Sequence, residues 1–157
     1  MAQAFSVSGK LLLSEGLVPG ALWIDAGRIV EVARGEKPTH FPVPTVKAEV
    51  VSPGLIDAQV NGGFGVTVGV EGHAVSTLAV HLPSTGVTAF CPTLVSLEAG
   101  AYRQLFNAPP AALPPRGAYP IGWHLEGPFL TPERRGAHGQ EAVARADDAL
   151  FDMLLSV

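Results

Sequence analysis

Two short polar runs of this sequence carry residues suited to metal-ion or acid–base chemistry. In the run Asp57–Asn61 the polar residues alternate, so in a strand their side chains would point to the same side. In the run His124–Pro128, His124 and Glu126 share a face by the same period of two. An inward carboxylate at a strand end is costly to bury unless it is paired or binds a metal. Glu126 is therefore the best single candidate for a metal ligand or catalytic carboxylate, with a structural turn carboxylate as the alternative.

Other reactive side chains are weaker candidates. His73 and His81 fall on the polar side of a predicted helix, and His40 lies in a proline-rich loop, so we expect all three at the surface. His124 is expected to form a hydrogen bond within the sheet rather than to bind metal. Cys91 follows a predicted strand and is expected to be a small buried hydrophobic residue.

The elements that would position these residues begin with a region of short strands. A β-hairpin is predicted over residues 21–32 with a tight turn at Asp25–Gly27, preceded by a turn at Val18–Gly20. The polar, proline-containing residues 34–45 are predicted to be a connecting loop. We expect residues 1–52 to form a small β-domain, or the N-terminal part of one.

For residues 53–157 the sequence pattern instead predicts alternating strands and helices. The predicted strands are Leu55–Val60, Val87–Phe90 and Ile121–Leu125. The predicted helices are one over residues 74–82 that stops before Gly86, one capped by Ser96 and running to about Phe106, and one starting near Asp147. This alternation is the βαβ pattern of a parallel sheet, either doubly wound or barrel-like. Such folds build their sites at the carboxyl ends of the strands, where both polar runs lie.

Composition limits the class of protein. The chain has 157 residues, of which 47% are hydrophobic and only 15% are charged, and its mean hydropathy is +0.30. The high hydrophobic fraction excludes a disordered chain. The low charged fraction suggests that the chain is part of a larger protein, and so does the last predicted helix, whose apolar pattern stops at Val157. The net charge of −4 argues against a nucleic acid or an anionic membrane as partner. No apolar run is long enough to span a bilayer, no secretory signal is recognisable, and a single Cys favours the cytoplasm.

Four segments together resemble one enzyme family. Pro53–Gly62, Gly86–Thr93, His124–Leu130 and Arg135–His138 occur in the order and at the spacings of N-acetylglucosamine-6-phosphate deacetylase, of the amidohydrolase superfamily. The resemblance implies an α/β fold: the N-terminal part of a (β/α)₈ TIM-type barrel, preceded by a small β-sandwich-like domain. Residues 53–157 would supply the first three βα units of that barrel.

The resemblance also implies roles for five residues. Glu126 matches the carboxylate metal ligand, and Ala137 and His138 match the pair that contacts the amino-sugar substrate. Gln59 and Asn61 stand where many amidohydrolases place a His-x-His metal pair. Amides are poor ligands for such metals compared with imidazoles, so the chain resembles the branch with one metal per site.

The activity implied by the resemblance is metal-dependent hydrolysis of N-acetylglucosamine 6-phosphate to glucosamine 6-phosphate and acetate. One divalent ion, zinc or iron, would activate water for attack on the acetamide carbonyl. Two further His ligands and the general-base Asp are expected downstream, so no catalytic residue is expected in this chain, and the 157 residues alone are expected to be inactive. The partners implied are the sugar phosphate and, at full length, a second copy in a homodimer.

Two alternatives stay open at this point. One is a non-catalytic product of a shortened gene that serves as a binding or assembly module. The other is a different amidohydrolase, similar to dihydroorotase or hydantoinase, although the Gln-x-Asn pair and the Glu-Gly-Pro and Gly-x-His arrangement speak against it.

Overall fold

The computed structural model describes most of the chain as two units. The described residues are 4–35, 43–69, 73–107, 113–114, 116–143 and 147–156. The chain divides into a unit of residues Met1–Pro53 and a unit of residues Gly54–Val157. No helix in the described ranges combines the length and apolar character needed to cross a membrane.

The first unit is a four-stranded sheet. Its strands are β1 (Phe5–Leu13), β2 (Gly16–Asp25), β3 (Arg28–Arg34) and β4 (Thr45–Val51), in the order β3-β2-β1-β4. β2 is antiparallel to β1 and β3, whereas β4 is parallel to β1. The predicted tight turn joins β2 to β3, where Ala26 and Gly27 take φ values of 48° and 75°. The hairpin prediction is confirmed.

The turn predicted at Val18–Gly20 is wrong, because these residues lie inside β2. A Cβ on Gly20 would lie 2.5 Å from the carbonyl oxygen of Ala33 and 2.7 Å from Cδ1 of Leu11. Glycine is needed here for close packing within the sheet, not for a change of chain direction. The predicted loop is also shorter than residues 34–45, and its residues 36–42, which include His40, lie outside the described ranges.

The second unit is mixed α/β. In chain order its elements are β5 (Leu55–Val60), β6 (Gly62–Gly63), β7 (Val66–Thr67), α1 (His73–His81), β8 (Val87–Val95), α2 (Ala99–Asn107), β9 (Tyr119–Pro120), β10 (His124–Glu126) and α3 (Asp148–Leu155). β8 is the central strand, with β5 parallel to it on one side and β10 and β9 parallel to it on the other. β6 and β7 form a short antiparallel hairpin directly after β5. The predicted alternation of parallel strands and helices is confirmed.

Several element boundaries differ from prediction. The third predicted strand, Ile121–Leu125, starts later than predicted: residues 121–123 lie between β9 and β10, and the strand begins at His124. β8 continues five residues beyond the predicted end at Phe90, as far as Val95. Its continuation is supported by β10, which pairs with Thr93, Leu94 and Val95. The carboxyl ends of β8 and β10 are thereby brought level.

The core of the second unit lies between the helices and the sheet. Leu78 of α1, Phe90 and Leu94 of β8, and Tyr102 of α2 are fully buried. Burial of a side chain of this size contributes roughly 1.5–3 kcal/mol. These contacts hold α1 and α2 against β8 and so fix the strand whose end carries the site.

The helix boundaries follow local signals in two of three cases. Gly86 takes a φ of 84° after a 3-10 turn over Leu82–Thr85, which gives the predicted stop after α1. Asp147 caps α3, with its side chain accepting a hydrogen bond from the backbone N–H of Leu150 at 3.0 Å. The cap predicted for α2 is wrong: the helix begins at Ala99, and Ser96 makes different contacts.

Candidate functional site

The two polar runs meet at the carboxylate of Glu126. Nε2 of Gln59 and Nδ2 of Asn61 both donate to Oε2 of Glu126, at 3.3 and 3.1 Å. Gln59 lies in β5 and Asn61 directly follows it, whereas Glu126 ends β10, and β8 separates these strands. The side chains therefore bridge the carboxyl edge of the parallel sheet, as the strand pattern predicts.

His138 faces the other oxygen of the same carboxylate. Its Nε2 lies 3.5 Å from Oε1 of Glu126, and its side chain is 8% exposed, against 40% for Glu126. The carboxylate is thus partly solvated, not sealed in the interior, because the strand end opens to solvent. Glu126 has three polar partners, Gln59, Asn61 and His138, so this carboxylate is paired, which is one of the two conditions that the sequence analysis sets for an inward carboxylate.

Ser96 is a site residue that the sequence analysis missed. Its backbone N–H donates to Nδ1 of His138 at 3.2 Å, and its Oγ lies 2.7 Å from the same nitrogen. Oγ also lies 3.4 Å from the carbonyl oxygen of Glu126. Ser96 directly follows β8, so its position at the end of the central strand was a signal that could have identified it.

The loop after β10 holds His138 in place. Nη1 of Arg135 donates to the carbonyl oxygen of His138, and the N–H of His138 donates to the carbonyl of Arg135 at 3.2 Å. Gly136, between them, takes a φ of 59°. An open cavity of about 420 Å³ is lined by this loop, including the exposed Ala137, and by Glu126. A small polar ligand entering it would meet one carboxylate, one imidazole and the guanidinium groups of the loop.

The donor set does not by itself make a metal centre. Catalytic zinc is usually held by three protein ligands, and the described ranges contain no group of three His, Cys, Asp or Glu side chains placed to hold a metal ion. Gln59 and Asn61 present amide NH₂ groups to Glu126, which leaves them as hydrogen-bond partners of the carboxylate. Within this cluster only Glu126 and His138 carry groups of the kind that bind a divalent ion, one fewer than a catalytic zinc site normally uses.

The weaker candidates take ordinary structural positions. Nδ1 of His124 lies 3.1 Å from Oγ1 of Thr93, which is the hydrogen bond within the sheet that we expected. His73 and His81 are exposed, as expected, and the ring of His81 stacks on Phe64 at a centroid distance of 5.1 Å.

Cys91 differs from expectation. It is a free cysteine on β8 and is half-buried rather than fully buried.

Solved structures show that the chain shares its fold with part of known deacetylases. The chain superimposes on the N-acetylglucosamine-6-phosphate deacetylase from Pasteurella multocida with a TM-score of 0.67 and 18% identity, covering 98% of this chain and 42% of that one. A deacetylase mutant from Mycobacterium smegmatis, solved in complex with N-acetyl-D-glucosamine-6-phosphate, gives a TM-score of 0.67 at 24% identity over 99% of this chain and 41% of that one.

The sequence relatives carry the name of one particular enzyme. The N-acetylglucosamine-6-phosphate deacetylases of Mus musculus and Homo sapiens are each 36% identical, over 89% and 93% of this chain. The Bacillus subtilis enzyme of the same name is 30% identical over 96% of it. No protein-family model matches the chain. The chain is homologous to the N-acetylglucosamine-6-phosphate deacetylases, hydrolases that act on an amide, and the resemblance read from the four segments is confirmed.

The match covers only part of each relative. The chain spans 36% of the mouse and human relatives and 38% of the Bos taurus relative. It also matches an N-acetylgalactosamine-6-phosphate deacetylase of Escherichia coli O157:H7 at 31% identity, over 94% of this chain and 39% of that protein.

Proposed function

We propose that this chain supplies part of the active site of a metal-dependent deacetylase acting on N-acetylglucosamine 6-phosphate. The reaction cleaves the acetamide bond with water and yields glucosamine 6-phosphate and acetate. The observation that carries the proposal is the meeting of Gln59, Asn61 and His138 on Glu126 at one edge of the sheet. The names of the relatives support the choice of reaction.

Each residue of the cluster has a distinct role in this proposal. Glu126 is one ligand of a single divalent ion, zinc or iron, whose other ligands lie outside these residues. His138 and Ala137 contact the amino sugar in the cavity beside Glu126. Gln59 and Asn61 replace a second metal: their NH₂ groups balance the charge on Oε2 that a second cation would otherwise neutralise.

The sheet of the second unit is proposed to be the first part of a (β/α)₈ barrel, with residues 53–157 as three βα units and residues 1–52 as a β-domain. Leu55 and Ile56 of β5 are 60% and 67% exposed. Strands of a barrel interior or of a covered sheet normally bury such residues, so exposure on β5 favours a larger sheet in the complete enzyme. A cytoplasmic homodimer is proposed for that complete enzyme.

A second candidate is a binding or assembly module without catalysis. It is favoured by the incomplete ligand set of the described ranges. Under both candidates the 157 residues alone release no acetate, and the two differ in what a longer reading frame contains.

The deciding experiment determines the nucleotide sequence beyond codon 157 and assays the encoded protein. We expect a frame that continues with two further His ligands and an Asp, and a product that releases acetate from N-acetylglucosamine 6-phosphate. N-Acetylgalactosamine 6-phosphate serves as the competing substrate, since one relative is named for it. Acetate release by the 157 residues alone would contradict the proposed missing ligands, and a frame that ends at residue 157 would favour the binding module.

A further inference from the structure

We propose that Ser96 is a positioning residue that fixes the ring of His138 as the tautomer protonated at Nε2. His138 would then offer the cavity a hydrogen-bond donor instead of a base. The tautomer of His138 is a property of this chain and does not depend on the proposed function. Only the idea that a substrate accepts a hydrogen bond from Nε2–H rests on the proposed function.

The tautomer follows from the donors around Nδ1 of His138. The backbone N–H of Ser96 reaches this nitrogen at 3.2 Å, and a backbone N–H can only donate. Nδ1 must therefore accept with its lone pair, and a neutral ring then carries its proton on Nε2. Toward a nitrogen that accepts, the hydroxyl of Ser96, with Oγ 2.7 Å away, can only donate, so its single hydrogen is directed to Nδ1 and not to the carbonyl oxygen of Glu126 at 3.4 Å.

The surroundings hold both donors in position. Ser96 and His138 are 5% and 9% exposed, so water competes weakly for Nδ1. A Cβ on Gly127 would lie 2.2 Å from Oγ of Ser96, so the serine occupies space that only a glycine leaves open. The opposite nitrogen, Nε2, faces Oε1 of Glu126 at 3.5 Å beside the cavity.

Ser96, His138 and Glu126 do not make a hydrolytic triad. A nucleophilic serine must expose its oxygen to the substrate carbonyl, whereas Ser96 is buried behind the imidazole ring. The group that the ring directs toward the cavity is Nε2–H, which binds an acceptor oxygen. A ligand with a carbonyl or hydroxyl oxygen at this point is favoured over one that presents only donors.

The test is a long-range ¹H–¹⁵N NMR spectrum of the uniformly labelled 157-residue chain. It is recorded at about pH 8.5, where an ordinary imidazole, with a pKa of about 6.5, is neutral. The His138 signals are assigned by their loss in His138→Gln. We expect an unprotonated, pyridine-like Nδ1 and a protonated, pyrrole-like Nε2. A His138 ring protonated on Nδ1 would overturn the inference, and this measurement needs no other variant.

Three variants test the part played by Ser96. Ser96→Ala removes the hydroxyl donor and should shift the tautomer ratio about fivefold to tenfold toward Nδ1–H, the effect of one hydrogen bond. Ser96→Thr keeps the hydroxyl and should restore the ratio. Thr93→Ala removes an equally buried hydroxyl that contacts His124 instead, and should leave His138 unchanged. Equal shifts in Ser96→Ala and Thr93→Ala would contradict a specific role for Ser96.

Addition of N-acetylglucosamine 6-phosphate separates this inference from the proposed function. A shift of the Nε2–H signal on addition supports both. The expected tautomer with no response to the sugar phosphate supports the role of Ser96, and the substrate contact of His138 is then decided by the KM of His138→Ala in the complete protein. The wrong tautomer contradicts the role of Ser96 whether or not the sugar phosphate binds.

Discussion

At the scale of single residues, the charge of Glu126 is the feature on which the proposed chemistry depends. Glu126→Gln keeps the size of the side chain and removes the charge. In the complete protein we expect loss of stoichiometric metal and of turnover, because a neutral amide is a poor ligand. In the 157 residues the free energy of unfolding should change by less than about 1 kcal/mol, since the side chain is 40% exposed. Elemental analysis and urea unfolding measure the two effects.

The matched control is Glu133→Gln, which makes the same change at an exposed carboxylate in a 3-10 turn. It should leave metal content and turnover unchanged. A Glu126→Gln protein with normal metal content and normal turnover would remove Glu126 from the ligand set.

His138→Ala should act on substrate binding rather than on metal. The variant removes the ring whose Nε2 faces the cavity beside Glu126. In the complete protein we expect the KM to rise about tenfold, the effect of one hydrogen bond in a partly dry site, with metal content unchanged. His73→Ala removes an exposed imidazole at the start of α1 and serves as control. Equal effects of the two variants would argue against a substrate contact at His138.

Tyr102 links stability to alkaline pH. Burial raises the pKa of its phenol, and the hydrogen bond donated by the N–H of Leu97 partly opposes this rise. Since the folded state then favours the neutral phenol, stability is lost as the pH rises above the pKa of about 10 expected in the unfolded chain. We expect wild-type stability to fall more steeply above that pH than the stability of Tyr102→Phe, measured by urea unfolding.

Tyr102→Phe should also cost about 1 kcal/mol near neutral pH, because Leu97 loses its acceptor. Tyr119→Phe is the control: Tyr119 is 65% exposed, so its removal should leave the alkaline slope as in wild type. A Tyr102→Phe protein with the wild-type alkaline slope would show that this phenol does not determine it.

At the scale of elements, the connection after β10 depends on a glycine. Gly127 has a φ of +94°, and an added Cβ would lie 2.2 Å from Oγ of Ser96; Gly65 has a φ of +83° and open space around it. Gly65→Ala should therefore cost only the backbone term of about 1–2 kcal/mol. Gly127→Ala should cost more, because Ser96 must also move. Thermal unfolding compares them, and equal losses would mean that the contact with Ser96 is unimportant.

The helix boundaries show which features of the fold can be predicted from the sequence. The end of α1 at Gly86 and the start of α3 at Asp147 were predictable because their signals lie within a few residues of the boundary. The cap predicted at Ser96 is wrong because the serine side chain contacts His138, which is 42 residues away in the sequence. No pattern near Ser96 in the sequence indicates that contact.

The site itself was predictable in part. Alternation placed Gln59, Asn61 and Glu126 at strand ends, and the resemblance added His138. Periodicity could not give the partner of each side chain, because β5 and β10 do not pair and their side chains meet only across the end of β8. Nor could it distinguish Gly20, which permits close packing, from a turn glycine, because that distinction depends on Leu11 and Ala33 in neighbouring strands.

At the scale of the whole molecule, the second unit leaves apolar sheet residues in contact with water. Ile56 is 67% exposed and Tyr119 is 65% exposed. Exposed apolar surface promotes association, so the 157 residues should self-associate as concentration rises. Ile56→Thr should reduce association while changing the free energy of unfolding by less than about 0.5 kcal/mol. Light scattering and urea unfolding measure these quantities.

Val80→Thr removes a comparable apolar group, 52% exposed, from α1 instead of the sheet. It should leave association unchanged. A chain that stays monomeric at all concentrations, or equal effects of the two variants, would mean that the exposed strand does not drive contacts between molecules.

The bridge from Gln59 to Glu126 joins residues 67 positions apart. During synthesis, the four strands of the first unit, which end at Val51, leave the ribosome long before Glu126 does. The first unit can therefore gain structure while Gln59 and Asn61 still lack their carboxylate. Long-range contacts of this kind form late and slow the folding of the element that carries them. The cluster of Gln59, Asn61, Glu126 and His138 can therefore be complete only after His138 has left the ribosome.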